Sequence, residues 1–133
     1  MKIDGGCHCG NITFVAELDP AQVIVCHCTD CQVFTGSAFR VVARVPKEKL
    51  EFRGGKPKQY IKTAESGAKR VQAFCPECGT PIYATSVEDP QVYGLRVGAI
   101  RQRKDLKPAK QIWCRSALGW ANDLKSIPQV EKQ

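Results

Sequence analysis

Apolar and polar residues alternate with a period of two along most of the chain, and few segments show the three-to-four-residue spacing of a helix. Ile12, Phe14 and Ala16 alternate against Asn11, Thr13, Val15 and Glu17, the pattern of a half-buried strand that Asp19-Pro20 ends. Val23-Ile24-Val25 is a β-branched run that favours extended chain. Ala38 to Val45 reads as a long strand with Arg40 and Arg44 on the face of Ala38 and Val42, stopped by Pro46. Leu50–Arg53 and Lys58–Lys62 flank Gly54-Gly55, which predicts a hairpin turning on the glycine pair. Lys69–Phe74, Thr80–Thr85 and Val92–Gly98 give further strands, and Lys107–Cys114 a loop and a final strand. One helical turn near Gln32–Phe34 precedes a bend at Gly36. The pattern predicts a mainly β fold of short antiparallel strands forming one domain over residues 1–133, with a polar tail from about residue 122.

Composition narrows the class. A chain of 133 residues with 43% hydrophobic and 25% charged positions fits an ordinary globular domain rather than a disordered one. No apolar run approaches the roughly 18 residues of a membrane span, so no membrane partner is expected. Met1-Lys2-Ile3-Asp4-Gly5-Gly6 lacks the apolar core of a secretion signal, and the expectation is a cytoplasmic, reducing setting. There, eight cysteines are read as metal ligands rather than disulfides.

Seven of the eight fall into three groups: Cys7 and Cys9, then Cys26, Cys28 and Cys31, then Cys75 and Cys78. Thiolates are soft ligands and the Cys-x-x-Cys spacing is that of a zinc knuckle, so two zinc ions per chain are expected. The simplest partition joins the two pairs into a closed four-thiolate structural site. Cys26, Cys28 and Cys31 are then left as a claw with three ligands and one open position, the mark of a catalytic zinc. An alternative split completes the claw with His8, His27 or Cys114. Each histidine lies between two cysteines and points away from their sulfurs in extended chain, which makes both supporting or surface groups. Cys114, alone beside Trp113, reads as a buried small hydrophobe.

The formal charge is +7, and seven thiolates around two zinc ions would bring it to about +4. A basic balance suits an anionic small substrate or a nucleic acid. The lack of any run of five basic residues favours dispersed, solvated lysines over a dedicated nucleic-acid patch.

Gly6-Cys7-His8-Cys9-Gly10, Cys26-His27-Cys28-Thr29-Asp30-Cys31 with Thr35-Gly36-Ser37, Phe74-Cys75-Pro76-Glu77-Cys78-Gly79-Thr80, and Ile112-Trp113 with Trp120 make a specific series. The chain carrying them resembles the glutathione-dependent formaldehyde-activating enzyme family, which also includes the centromere protein V type proteins. The resemblance implies a β-tent of antiparallel sheets stapled by zinc, with a structural zinc on Cys7, Cys9, Cys75 and Cys78. It implies a catalytic zinc on Cys26, Cys28 and Cys31. The implied activity joins glutathione and formaldehyde into S-hydroxymethylglutathione, a carbon-sulfur lyase reaction run toward synthesis, with a small thiol or thiol adduct as partner. Arg40, Arg44 and Arg96 are candidates to meet substrate carboxylates. A non-enzymatic zinc module binding nucleic acid or a protein is the competing expectation.

Overall fold

Strands at both ends of the chain meet those of its middle in two sheets, seen in a computed structural model that describes residues 1–133. The strands are β1 (Lys2–Gly6), β2 (Ile12–Glu17), β3 (Val23–Cys26), β4 (Arg40–Pro46), β5 (Leu50–Gly54), β6 (Lys58–Thr63), β7 (Lys69–Phe74), β8 (Pro81–Ser86), β9 (Val92–Arg96) and β10 (Lys110–Ile112). One α-helix, α1 (Thr29–Thr35), and several single 3-10 turns join them. The small sheet has the order β1-β2-β5 and the large one β10-β3-β4-β9-β8-β7-β6. The mainly β expectation is met.

Period-two alternation sets the two faces of the large sheet. Val41, Ala43 and Val45 of β4, Leu95 of β9, and Val71 and Ala73 of β7 face the small sheet. There they join Ile3, Ile12, Phe14, Ala16 and Leu18 in one apolar cluster. Ile12, Phe14 and Leu18 are essentially fully buried, and each contributes about 1.5–3 kcal/mol by leaving water. Phe52, Tyr83 and Tyr93 extend the packing, with ring centroids 5.0–6.3 Å apart. The intervening residues Arg40, Val42, Arg44, Arg70, Gln72, Ala84, Gly94 and Arg96 line a cavity on the opposite face.

Three features depart from the sequence expectations. Gly54-Gly55 does not turn a hairpin: β5 pairs with β2 in the small sheet, and β6 pairs with β7 at the edge of the large one. Gly54 has φ +86°, and a Cβ there would lie 2.2 Å from the Asn11 carbonyl oxygen. The Gly55 amide donates to that same oxygen at 2.7 Å. The pair therefore lets β5 close against the start of β2 before the chain crosses between sheets. Lys2–Gly6 forms a strand that its two glycines concealed, in register from Lys2↔Glu17 to Gly6↔Thr13. Finally, β10 runs parallel to β3, which makes this sheet mixed rather than wholly antiparallel.

Candidate metal centres and the adjoining cavity

Two groups of thiols converge. Cys7, Cys9, Cys75 and Cys78 bring their sulfurs within 4.8 Å of one another, and so do Cys26, Cys28 and Cys31. Cys7 and Cys9 follow β1 of the small sheet, whereas Cys75 and Cys78 follow β7 of the large one. This four-thiol group thus joins the sheets across a separation of 66 residues between Cys9 and Cys75.

The four-thiol group fits a tetrahedral zinc. Bonds of about 2.3 Å place the sulfurs of such a site about 3.8 Å apart. Cys7 Sγ and Cys9 Sγ are 3.6 Å apart, and Cys9 Sγ and Cys75 Sγ 3.7 Å. The Ile12 amide donates to Cys7 Sγ at 3.2 Å, a contact that favours a thiolate. At the exposed side, Cys78 Sγ lies 3.2 Å from Thr80 Oγ1, and that hydroxyl accepts from the His8 amide at 3.0 Å. Bonds from Thr80 hold the Cys78 thiol down at about 5, whereas crowding by the Cys7 thiol helps push Cys9 up to about 12 against the pull of the Asn11 amide. Sulfurs this close cannot all ionise together without a cation between them.

In the claw the thiols come from one short segment. Cys26 ends β3, Cys28 caps α1, and Cys31 lies in its first turn. Cys28 Sγ accepts from the Cys31 amide at 3.2 Å. The thiol of Cys31 lowers Cys26 to about 5, while Cys26 pushes Cys31 upward, the mutual effect of two thiols close enough to share one proton. Gly36 closes α1 in the left-handed conformation at φ +61°. Gln32 Nε2 donates to the carbonyls of His27 and Ser116, both at 3.0 Å, which ties the claw to the last part of the fold. Lys62 of β6 pairs with Asp30 of α1 at 2.7 Å on the other side.

None of the three residues offered as a fourth ligand joins the claw. His27 is 1% exposed, with Nε2 2.7 Å from Gln111 Oε1 and its ring against Phe39. His8 is exposed on the turn beside Cys7. Cys114 is exposed, not buried as its neighbour Trp113 implied, because Trp113 itself is left-handed at φ +56° and begins a surface turn. No fourth His, Cys, Asp or Glu ligand atom joins the three sulfurs of the claw.

Cys26, Cys28 and Cys31 form one end of a cavity of about 610 Å³ on the outer face of the large sheet. Arg40, Arg44, Lys62, Arg70 and Arg96 line it, against the single carboxylate of Asp89. Gly94 and Ala84, paired across β9 and β8, form a low floor between the flanking side chains. Ile24, Val42, Ile112 and Trp113 supply an apolar wall. The arginines singled out in the sequence are thus gathered in one place. Arg70 and Gln72 were not singled out, although their alternation with Val71 and Ala73 already put them on this face.

No helix is long and apolar enough to cross a membrane. Among solved structures, the chain is similar to the crystal structure of a Rhodobacter sphaeroides protein from a structural-genomics programme. The two share 21% identity with a TM-score of 0.61, over 81% of this chain and 98% of that one. This likeness concerns the fold. The family model for glutathione-dependent formaldehyde-activating enzymes matches residues 2–116, a span that takes in both thiol groups and every residue lining the cavity beside the claw, and the chain belongs to that family.

Proposed function

We propose that this protein is a zinc-dependent carbon-sulfur lyase-type enzyme that joins a small thiol to an aldehyde, with glutathione and formaldehyde as the leading pair. The observation that carries this reading is a three-thiol group with no fourth protein ligand, set at the end of a cationic cavity. Cys26, Cys28 and Cys31 would hold the catalytic zinc, and Cys7, Cys9, Cys75 and Cys78 a structural one. Zinc held by three thiolates supplies an open coordination position at which a substrate thiol loses its proton near neutral pH.

The chain's own residues do the rest. Arg40 lies close enough to the three sulfurs to feel their charge, and so offsets the negative charge that gathers there. The apolar wall of Ile24, Val42, Ile112 and Trp113 limits water beside the reacting sulfur. In the net reaction an S–H bond breaks, a carbon–sulfur bond forms, and the aldehyde oxygen takes up the proton, with no change of oxidation state. A cavity concentrates its charge on a compact anion, which supports a small substrate over a nucleic-acid duplex that would need basic groups on a convex face.

The test is the exchange rate between formaldehyde hydrate and S-hydroxymethylglutathione, followed by carbon-13 exchange NMR with protein carrying two zinc ions. Acceleration over buffer that disappears in Cys28→Ser supports the proposal. A fully zinc-loaded protein that leaves the buffer rate unchanged for every thiol–aldehyde pair overturns it.

A further inference from the structure

β6 ends the large sheet on one side, and β7 is its one partner. None of the backbone hydrogen bonds outside the sheet ladders involves Lys58–Thr63, so one row of N–H and C=O groups points away from the fold. The other sheet margins offer less. Ile100–Arg101 runs along β1, with a bridge from Ile100 to Gly5 and an Arg101 amide that donates to the Asp4 carbonyl at 2.8 Å. β10 has three residues, and β5 keeps Leu50 and Phe52 half-buried. β6 alone among the strands exposes two large apolar side chains, Tyr60 at 56% and Ile61 at 43%.

Lysines that reach into solvent are a common guard of a sheet edge. Lys62 does not serve as one: its ammonium is folded onto Asp30 of α1 at 2.7 Å, and its side chain is 19% exposed. Lys58 is left as the one lysine of the strand outside an ion pair. α1 lies over the same edge and enlarges its apolar surface, with the Phe34 ring 5.9 Å from that of Tyr60 and Val33 exposed.

The order of residues in β6 suits a second copy of itself. A two-fold axis normal to the sheet pairs the edges antiparallel and keeps the outer face outer, so each residue meets one of its own face. Tyr60 and Lys62 are on the outer face, by Phe34 and the claw cavity. Gln59 is on the inner face, where its Nε2 donates to Tyr83 Oη at 3.2 Å, and so is Ile61, opposite Val71 of the core. An axis at Tyr60 would set Lys58 against Lys62 twice, and an axis at Lys62 would set Lys62 against itself; like charges directly opposite destabilise a ladder. An axis at Gln59 would draw in Pro57, which has no N–H to give. With the axis at Ile61, Ile61 meets Ile61, Tyr60 meets Lys62 and Gln59 meets Thr63, and no like charges oppose.

We propose that this chain dimerises through β6, with Ile61 on the two-fold axis, which joins the two seven-stranded sheets into one. Both claw cavities then open on the same face, one on each side of the axis. Tyr60 of the partner subunit lies opposite Lys62, which lines the cavity.

Sedimentation equilibrium of the zinc-loaded protein is the test. The expected dissociation constant is on the order of 10–100 µM, that of one strand pair with a small apolar margin. Ile61→Glu sets two carboxylates against each other on the axis and should weaken the dimer at least about tenfold. Tyr60→Glu sets a carboxylate opposite Lys62 and should change the affinity by less than about threefold. Hydrogen exchange gives a readout without any variant: amides of Lys58–Thr63 should slow as the protein concentration rises through the dissociation constant. A chain still monomeric at about 1 mM overturns the proposal, and so does a dimer whose formation protects another segment and leaves β6 unchanged. An Ile61→Glu chain that dimerises like the natural one overturns it equally. Tyr60→Glu that dissociates the dimer as fully as Ile61→Glu overturns the register and the axis with it.

Discussion

The four-thiol group and the claw use the same side chain for opposite ends. Cys7 and Cys75 are buried within the apolar cluster shared by the two sheets, and the group they head connects parts of the chain far apart in sequence. The claw spans six residues and faces a cavity. Closing a long loop removes more freedom from the unfolded chain than closing a short one. Stability should therefore depend on the first group and reactivity on the second, although both could offer thiolates to the same kind of ion.

The largest effect is expected from Cys75→Ser. It removes a buried sulfur from the staple, and the apparent binding energy of a structural zinc, on the order of 10 kcal/mol, is folding energy. Thermal melting by circular dichroism should show no cooperative transition at 37 °C; a native-like melt would break the comparison. Next, Cys28→Ser should lower zinc content from two equivalents to one and abolish thiol–aldehyde exchange, while the melting temperature moves by only a few degrees, read by atomic emission and calorimetry.

Arg96→Met sharpens the contrast from the cavity side. Burial holds the Arg96 guanidinium down at about 9 in the fold, well below its ordinary value. Above about pH 9 the unfolded chain thus keeps a proton that the folded chain gives up, and stability attributable to this residue rises with pH. Below about pH 9 the full cost of the buried charge is present. The variant should accordingly be more stable than the natural chain by about 1 kcal/mol or more at pH 7, an advantage that shrinks above about pH 9 in urea titrations of the zinc-loaded protein. The smallest effect is expected from Thr80→Val, which takes the hydroxyl from Cys78 Sγ and from the His8 amide. A loss of about 1 kcal/mol, with exchange activity unchanged, would place this contact with the staple alone.

Much of this contrast was legible in the residues. Alternation from Arg40 to Val45 sorted arginines from core residues correctly, because a strand that packs on one face must obey the pleat. The grouping of cysteines into four and three followed from ligand counting, and the structure brings together the same sets. Gly54-Gly55 misled because a turn signal is local, whereas the choice of partner strand is not: β5 found β2, already bound to β1, rather than β6. Cys114 misled because burial was inferred from an aromatic neighbour whose own backbone turns the chain outward. The place of Gln72, whose Oε1 accepts from both Arg40 and Arg96, had no sequence signal, since it depends on Arg40 of β4 and Arg96 of β9 reaching across to β7.

The parallel pairing of β10 with β3 bears on how the nascent chain matures. All four cysteines of the staple have left the ribosome once residue 78 has emerged, whereas the outer edge of β3, which carries Cys26, stays bare until Lys110–Ile112 arrive. Synthesis from one end to the other thus lets the stapled half settle first and leaves the edge beside the claw as the last to be covered, open meanwhile to strands of other molecules.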